Sequence, residues 1–251
     1  MALDKAETII CHDLNDVVEK AATSFADTAT EFIRKKSLFN VVLSGGSTPQ
    51  PLYQLLSSDR FRNQIDWTRV QLFWGDERCV PPTDRASNYG MATKSLISKI
   101  KIPFKNIHRI KGEMGEDSAC FYEKELRSFF SLGKDAFPKF DLIILGIGED
   151  GHTASIFPGS PVVNETSDMV AADYVDKLSS TRITLTPPTI NNASNIMVLA
   201  CGNNKADAIK EIFEGDSKPD IIPSQFLRKA KGKVSFFLDE PAASKLASLK
   251  A

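Results

Sequence analysis

Apolar positions along the chain follow two rhythms. Short unbroken runs suit strands of a parallel sheet covered on both faces, whereas spacings of three and four suit amphipathic helices. Glu7 to Cys11 reads as a first strand. Asp13 then caps a helix whose apolar stripe runs from Leu14 through Val17, Val18, Ala21, Ala22, Phe25, Ala29 and Phe32 to Ile33. Leu38 to Leu43 is the next strand, and Pro49 opens the helix after it. Val70 to Trp74 is a third strand, running into Gly75-Asp76-Glu77-Arg78 and then a proline-rich loop. Ser87-Asn88 starts a helix that continues through Tyr89, Met91, Leu96 and Ile97. Asn106 to Ile110 is a short strand, and Asp117 to Leu132 a helix with Phe121, Leu126, Phe129 and Phe130 on its apolar side. Leu142 to Leu145 is the most continuous apolar run and fits a central strand. Met169 to Ala172, Arg182 to Leu185, Ile196 to Ala200 and Lys233 to Leu238 complete the strands. Pro187-Pro188 begins a turn or short helix, Lys205 to Phe213 a helix, Ser224 to Leu227 a helical turn and Glu240 to Leu249 a last helix.

Strands and helices alternate through most of the chain, which predicts an α/β layered fold with a mostly parallel sheet. The only polar stretch resembling a linker, Gly215 to Pro223, is too short to divide the chain, so residues 1–251 read as one domain. Hydrophobic residues make up 42% and charged residues 25%, ordinary for a globular protein. With 31 Lys+Arg against 32 Asp+Glu the net charge is −1, so neither a nucleic-acid nor a membrane surface is expected. A pocket for a small anion needs only two or three cations and stays compatible with that balance. Cys11, Cys79, Cys120 and Cys201 are scattered, with no CxxC pair or Cys/His cluster. No metal-ligand spacing and no GxSxG elbow occur, so the expectation is chemistry without a metal, a cofactor or a covalent intermediate. The first residues lack the pattern of a signal peptide, and no apolar run approaches the ~20 residues of a membrane span. The expected location is cytoplasmic.

Four constellations carry candidate chemistry, and three of them follow directly after an expected strand, where open parallel sheets bind ligands. Ser44-Gly45-Gly46-Ser47-Thr48 lies between a strand and a helix start. Glycine backbone and helix-terminal N–H groups there suit one phosphate, and equally describe a well-capped turn. Asp76, Glu77 and Arg78 can orient sugar hydroxyls or a water, or form a solvated turn with a local ion pair. His152 follows Glu149 and Asp150 in a loop also holding Gly146, Gly148 and Gly151. A histidine takes a proton from water near neutrality, and a neighbouring carboxylate stabilises the imidazolium that results. Either Glu149 or Asp150 can serve, and Thr153 and Ser155 read as structural. Arg182 and Lys205 are two cations at the start of a strand and of a helix. A lysine at a helix start opposes the dipole and is easier to understand beside an anion. His12 and His108 read as structural.

Taken together, L-S-G-G-S-T-P, W-G-D-E-R-C-V-P-P…S-N-Y-G-M and L-G-I-G-E-D-G-H-T-A-S-I-F-P-G-S closely resemble the 6-phosphogluconolactonase family, over nearly the whole chain. The later R-I-T-L-T-P and G-N-N-K-A segments look like the same family's. The resemblance implies an α/β/α fold like that of glucosamine-6-phosphate deaminase and ribose-5-phosphate isomerase. It implies hydrolysis of 6-phospho-D-glucono-1,5-lactone to 6-phosphogluconate in the oxidative pentose phosphate pathway. It implies His152 as general base, with Asp76 and Arg78 in the site. Together with Asp150 these form the expected catalytic set. Ser44, Gly45, Gly46, Ser47, Thr48, Arg182 and Lys205 form the expected phosphate anchor. The expected partner is the small-molecule sugar-phosphate lactone alone, with a monomer or weak homodimer as the assembly. A deaminase or isomerase of the same superfamily is the nearest rival. Thr153-Ala154-Ser155-Ile156-Phe157-Pro158 stands where the deaminases typically continue with an acidic residue assisting the histidine. A non-catalytic sugar-phosphate sensor is a second rival, with no basic patch to support it.

Overall fold

The structure is a computed structural model and describes residues 6–247. Its centre is a seven-stranded sheet in which every pairing is parallel. The strands are β1 (Glu7–Cys11), β2 (Phe39–Leu43), β3 (Val70–Trp74), β5 (Ile107–His108), β6 (Leu142–Gly146), β9 (Asn195–Ala200) and β10 (Lys233–Asp239). Their spatial order is β1-β10-β9-β6-β2-β3-β5. β2 and β3 are buried at every position, as expected of strands covered on both faces. From β2 the chain moves outward to β3 and β5. It then returns to β6 on the other side of β2 and moves away through β9 to β10. The direction of winding therefore reverses between β2 and β6, and a crevice opens at the carboxyl ends of these strands.

The first helix, α1 (Leu14–Lys36), packs on β1, β2 and β10. Asp13 caps it by accepting from the Asp16 N–H at 2.9 Å, and Ser37 closes it in the left-handed conformation (φ 62°). Its buried face is small apart from Phe25, which lets the helix lie close to the sheet. The remaining helices are α2 (Pro49–Leu56), α3 (Asp59–Arg62), α4 (Asn88–Ser95), α5 (Asp117–Phe130), α6 (Pro187–Asn191), α7 (Ala206–Phe213) and α8 (Glu240–Ala243). Among the described residues no helix is long and apolar enough to cross a membrane.

A second, antiparallel sheet is formed by β4 (Asp76–Arg78), β8 (Ser180–Leu185) and β7 (Val170–Val175), in that order. Asp76-Glu77-Arg78 is thus a paired strand and not the solvated turn that was one of its two alternatives. Gly75 joins the sheets, its N–H bonding the Leu43 carbonyl at 2.9 Å and its own carbonyl accepting from Leu185 at 2.8 Å. The chain thus passes directly from β3 into β4, because the partner strand β8, over a hundred residues later, satisfies the backbone a turn would leave open. Other departures are local. Phe121 is 49% exposed, so it lies off the apolar side of α5. The helix from Ser87-Asn88 ends at Ser95, short of Leu96 and Ile97. Of the last expected helix only Glu240–Ala243 is helical, and its residues 248–249 lie outside the described residues.

Candidate active site

Four segments converge on a cleft of about 320 Å³ above the carboxyl ends of β2, β3, β6 and β9. Its lining includes Ser44 to Pro49, Asp76, Arg78, Gly146 to Gly148, His152, Asn204 and Lys205. A larger cavity of about 820 Å³ lies beside α5 and β7, but it gathers no such set of histidine, hydroxyl and backbone amide groups. The cleft is singled out by convergent chemistry rather than by size.

The Ser44–Thr48 wall is set from beneath. The buried Tyr53 hydroxyl accepts from the Ser44 N–H at 2.9 Å and donates to the Ser44 carbonyl at 2.8 Å. Burial pushes the Tyr53 phenol well above its ordinary range, so it stays protonated. Gly46 takes φ +106°, a conformation that favours glycine. A Cβ at Gly45 would fall 1.8 Å from Asn88 Oδ1, so the close approach of Asn88 requires glycine there. The Thr48 hydroxyl makes no cap bond to α2.

Asp76 and Arg78 line the cleft from β4. Asp76 is 6% exposed, and its Oδ2 accepts from the Ser155 hydroxyl at 2.7 Å. Between them Glu77 turns inward and is 2% exposed. Its carboxylate accepts from the backbone N–H groups of Arg78, Asn88 and Tyr89 at 2.8, 2.7 and 2.9 Å, and from the Ser87 hydroxyl at 3.0 Å. Burial pushes this carboxyl up, against the opposing pull of those bonds. Glu77 therefore anchors the start of α4, while Asn88 Nδ2 donates to the Asp76 carbonyl at 2.9 Å. Arg78 donates to the Ala86 carbonyl through Nη1, and its Nε is buried without a hydrogen-bond partner.

His152 lies in the loop after β6. Its Nδ1 is 2.5 Å from Asp150 Oδ1, and its backbone N–H bonds the same oxygen at 3.2 Å. Asp150 rather than Glu149 is thus the carboxylate partner. Glu149 instead accepts from Asn204 Nδ2 at 3.4 Å. With Nδ1 facing a carboxylate, the proton sits on Nδ1 and Nε2 carries the lone pair. Burial pushes the Asp150 carboxyl up, but hydrogen bonds from His152 and Lys177 outweigh it and hold the group well below the ordinary carboxylate range. The imidazole rests on the Phe157 ring, centroids 4.3 Å apart. A Cβ at Gly148 would stand 2.0 Å from His152 Nδ1, so that glycine makes room for the ring. Thr153 donates to the Gly146 carbonyl at 2.9 Å, and Ala154 takes φ +49° in the tight turn that follows.

Lys205 closes the cleft from the turn Asn203–Lys205 after β9, where Gly202 (φ +96°) is held by bonds of 3.0 and 2.9 Å from its N–H to the Asp239 carboxylate. The thiol of Cys201 on the same wall is pushed up to about 12 by burial and stays protonated. Arg182 does not line the cleft. It pairs in register with Arg78 across β8 and β4, and its Nη1 donates to the Ser180 hydroxyl at 3.1 Å. Burial, and then the Arg78 charge, hold the Arg182 guanidinium below its ordinary range. Among the described residues Arg78, Arg182 and Lys205 have no carboxylate within ion-pair distance.

The sequence reading missed three contributors. Lys177 pairs with Asp150 from the turn between β7 and β8, Asn88 braces both Gly45 and Asp76, and Ser155 bonds Asp76. No local pattern marks Lys177, which is distant in sequence. His108 also has a carboxylate partner, Glu125 at 2.8 Å, but its ring lies against Phe73 and Phe129 and does not line the cleft.

Residues 12–236 match the model of the family described as glucosamine-6-phosphate isomerases/6-phosphogluconolactonase. The chain is 35% identical to a 6-phosphogluconolactonase of Synechocystis, over 92% of this chain and 94% of that one. It is 35% identical to a chloroplastic 6-phosphogluconolactonase 3 of Arabidopsis thaliana, over 97% of this chain and 76% of that one. Among solved structures, a 6-phosphogluconolactonase from Trypanosoma cruzi superposes with a TM-score of 0.89 at 31% identity, covering 98% of each chain.

Proposed function

The chain belongs to the glucosamine-6-phosphate isomerase/6-phosphogluconolactonase family, and from that premise we propose that it hydrolyses 6-phospho-D-glucono-1,5-lactone to 6-phospho-D-gluconate in the oxidative pentose phosphate pathway. The observation that carries this reading is the convergence on one cleft of His152, which is paired with Asp150, with Lys205 and the Ser44–Thr48 segment, whose amides, hydroxyls and charge suit an anion.

In this reading the 6-phosphate sits on the amides and hydroxyls of Ser44, Gly45, Gly46, Ser47 and Thr48, beside Lys205. Arg78 and Arg182 add positive charge, supported by the lack of a carboxylate partner on either and by the buried, unpartnered Arg78 Nε. His152 Nε2 takes a proton from water as the water oxygen bonds to the lactone carbonyl carbon. Asp150 stabilises the imidazolium. When the carbon–ring-oxygen bond breaks, the imidazolium returns that proton to the departing oxygen, leaving the open-chain acid. Asp76, held by Ser155, orients sugar hydroxyls. An activated ester needs little beyond positioning and one base, the latter contributing about 10²–10⁴-fold.

The direct test generates the lactone in situ with glucose-6-phosphate dehydrogenase and follows its loss with and without the protein. Acceleration over spontaneous hydrolysis is expected, and an unchanged rate removes the reading. We further propose one domain over residues 1–251, a monomer or weak homodimer by sedimentation, and a cytoplasmic location tested by fractionation. A relative at 35% identity is named as chloroplastic, so fractionation decides between the two locations.

A further inference from the structure

Asp150 lines a second cavity, of about 530 Å³, together with Phe157, Tyr174 and Lys177, none of which lines the cleft. Four side chains here form a closed ring. Lys177 Nζ bonds Asp150 Oδ2, while Asp150 Oδ1 faces His152 Nδ1 at 2.5 Å. The His152 ring lies on Phe157 at 4.3 Å, and Lys177 Nζ stands 4.8 Å from the centroid of that Phe157 ring.

We propose that Lys177 is a positioning residue for the reaction, fixing His152 by holding the far oxygen of Asp150 and the Phe157 ring against which the imidazole rests. This rests on the assignment of His152 as the base. An aspartate held through one oxygen rotates freely about its last torsion, which is broad and roughly two-fold. With each oxygen occupied by a different partner, that rotation is blocked. The lysine comes from the turn Asp176–Leu178 between β7 and β8, which Ser179 closes at φ +45°. The Ser160 hydroxyl, just beyond Phe157, donates to Asp173 on β7 at 2.5 Å and ties the two segments together. β8 also pairs with β4, which carries Asp76 and Arg78. One hairpin therefore contacts both the base-bearing loop and the strand forming the opposite wall.

A plain surface ion pair adds little to stability, about 0–1 kcal/mol, and half of the Lys177 side chain is exposed. Its Asp150 partner is only 25% exposed and is already bonded to the imidazole, so the pair acts on geometry more than on folding. Lys177 does not line the cleft, so its removal is expected to change kcat and spare KM.

The test compares Lys177→Met and Lys177→Arg with wild type, using lactone generated in situ and the His152 Nδ1–H proton resonance, identified by its loss in His152→Ala. K177M is expected to lower kcat about tenfold with KM within about twofold and a melting temperature within about 4 °C of wild type. It should also lose or shift the Nδ1–H resonance, and K177R should restore both. Wild-type kcat and an unmoved resonance in K177M overturn the proposal, as does a loss accompanied by a lowered melting temperature and a raised KM. If His152→Ala remains active, the base assignment fails instead. The resonance comparison then still decides whether Lys177 holds the imidazole.

Discussion

Asp150 Oδ1 lies 2.5 Å from His152 Nδ1, so the imidazole presents the lone pair of Nε2 for chemistry. Replacing His152 by Ala removes the proposed base and the imidazole that rests on Phe157. Turnover of the lactone is expected to fall by about 10²–10⁴-fold with the circular dichroism spectrum unchanged. Full activity in this variant rules the base assignment out.

Asp150→Asn keeps the shape and removes the charge. Exchanging a charge-assisted hydrogen bond for a neutral one costs about 1.5–3 kcal/mol at most, which sets a fall in kcat of roughly 10- to 100-fold. The same variant has a signature in stability. His152 and Lys177 hold the folded carboxyl below its ordinary range despite burial. A lowered carboxylate pKa gives stability that is present above the unfolded value, about 4, and is lost as pH falls further through the folded value. The melting-temperature gap between wild type and D150N should therefore be greatest near neutrality and narrow below about pH 4. A gap that widens on acidification contradicts this.

Gly148→Ala places a methyl carbon 2.0 Å from the present His152 Nδ1 position. The ring must move, because the backbone of Gly148 is tied by its N–H to the His152 carbonyl at 2.8 Å. Activity should drop at least as far as in D150N while the fold survives, and a structure of the variant should show the imidazole displaced.

Lys205→Ala should raise KM more than it lowers kcat, since its proposed partner is the phosphate rather than the reacting carbonyl. A lost hydrogen bond to a charged group of about 1.5–3 kcal/mol corresponds to a roughly 10- to 100-fold weaker KM. Inorganic phosphate should inhibit the wild type competitively and this variant less well. Equal inhibition of both would place the anchor elsewhere.

Glu77→Ala leaves the backbone N–H groups of Asn88 and Tyr89 and the Ser87 hydroxyl at the start of α4, and the Arg78 N–H on β4, without their acceptor. A loss of about 2–3 kcal/mol in unfolding free energy is expected in denaturant titrations. Glu77→Gln should recover part of it.

The sequence by itself determined the strand and helix order, because buried parallel strands are written as continuous apolar runs and α1 as a three-and-four spacing between its own caps. It also pointed to the loops that meet at one cleft, since Ser44–Thr48, Asp76–Arg78 and His152 each stand directly after such a run. The tertiary structure decided what depends on residues far apart in the chain. Asp76-Glu77-Arg78 is a strand rather than a turn only because β8 supplies its hydrogen bonds. Glu77 faces the protein interior because Ser87, Asn88 and Tyr89 fold back over it. Asp150 is set apart from its neighbour Glu149 by Lys177, twenty-seven positions later, which locks one carboxylate oxygen and leaves the other for His152. Periodicity reports which face of an element is buried, but not which distant side chain will meet it there.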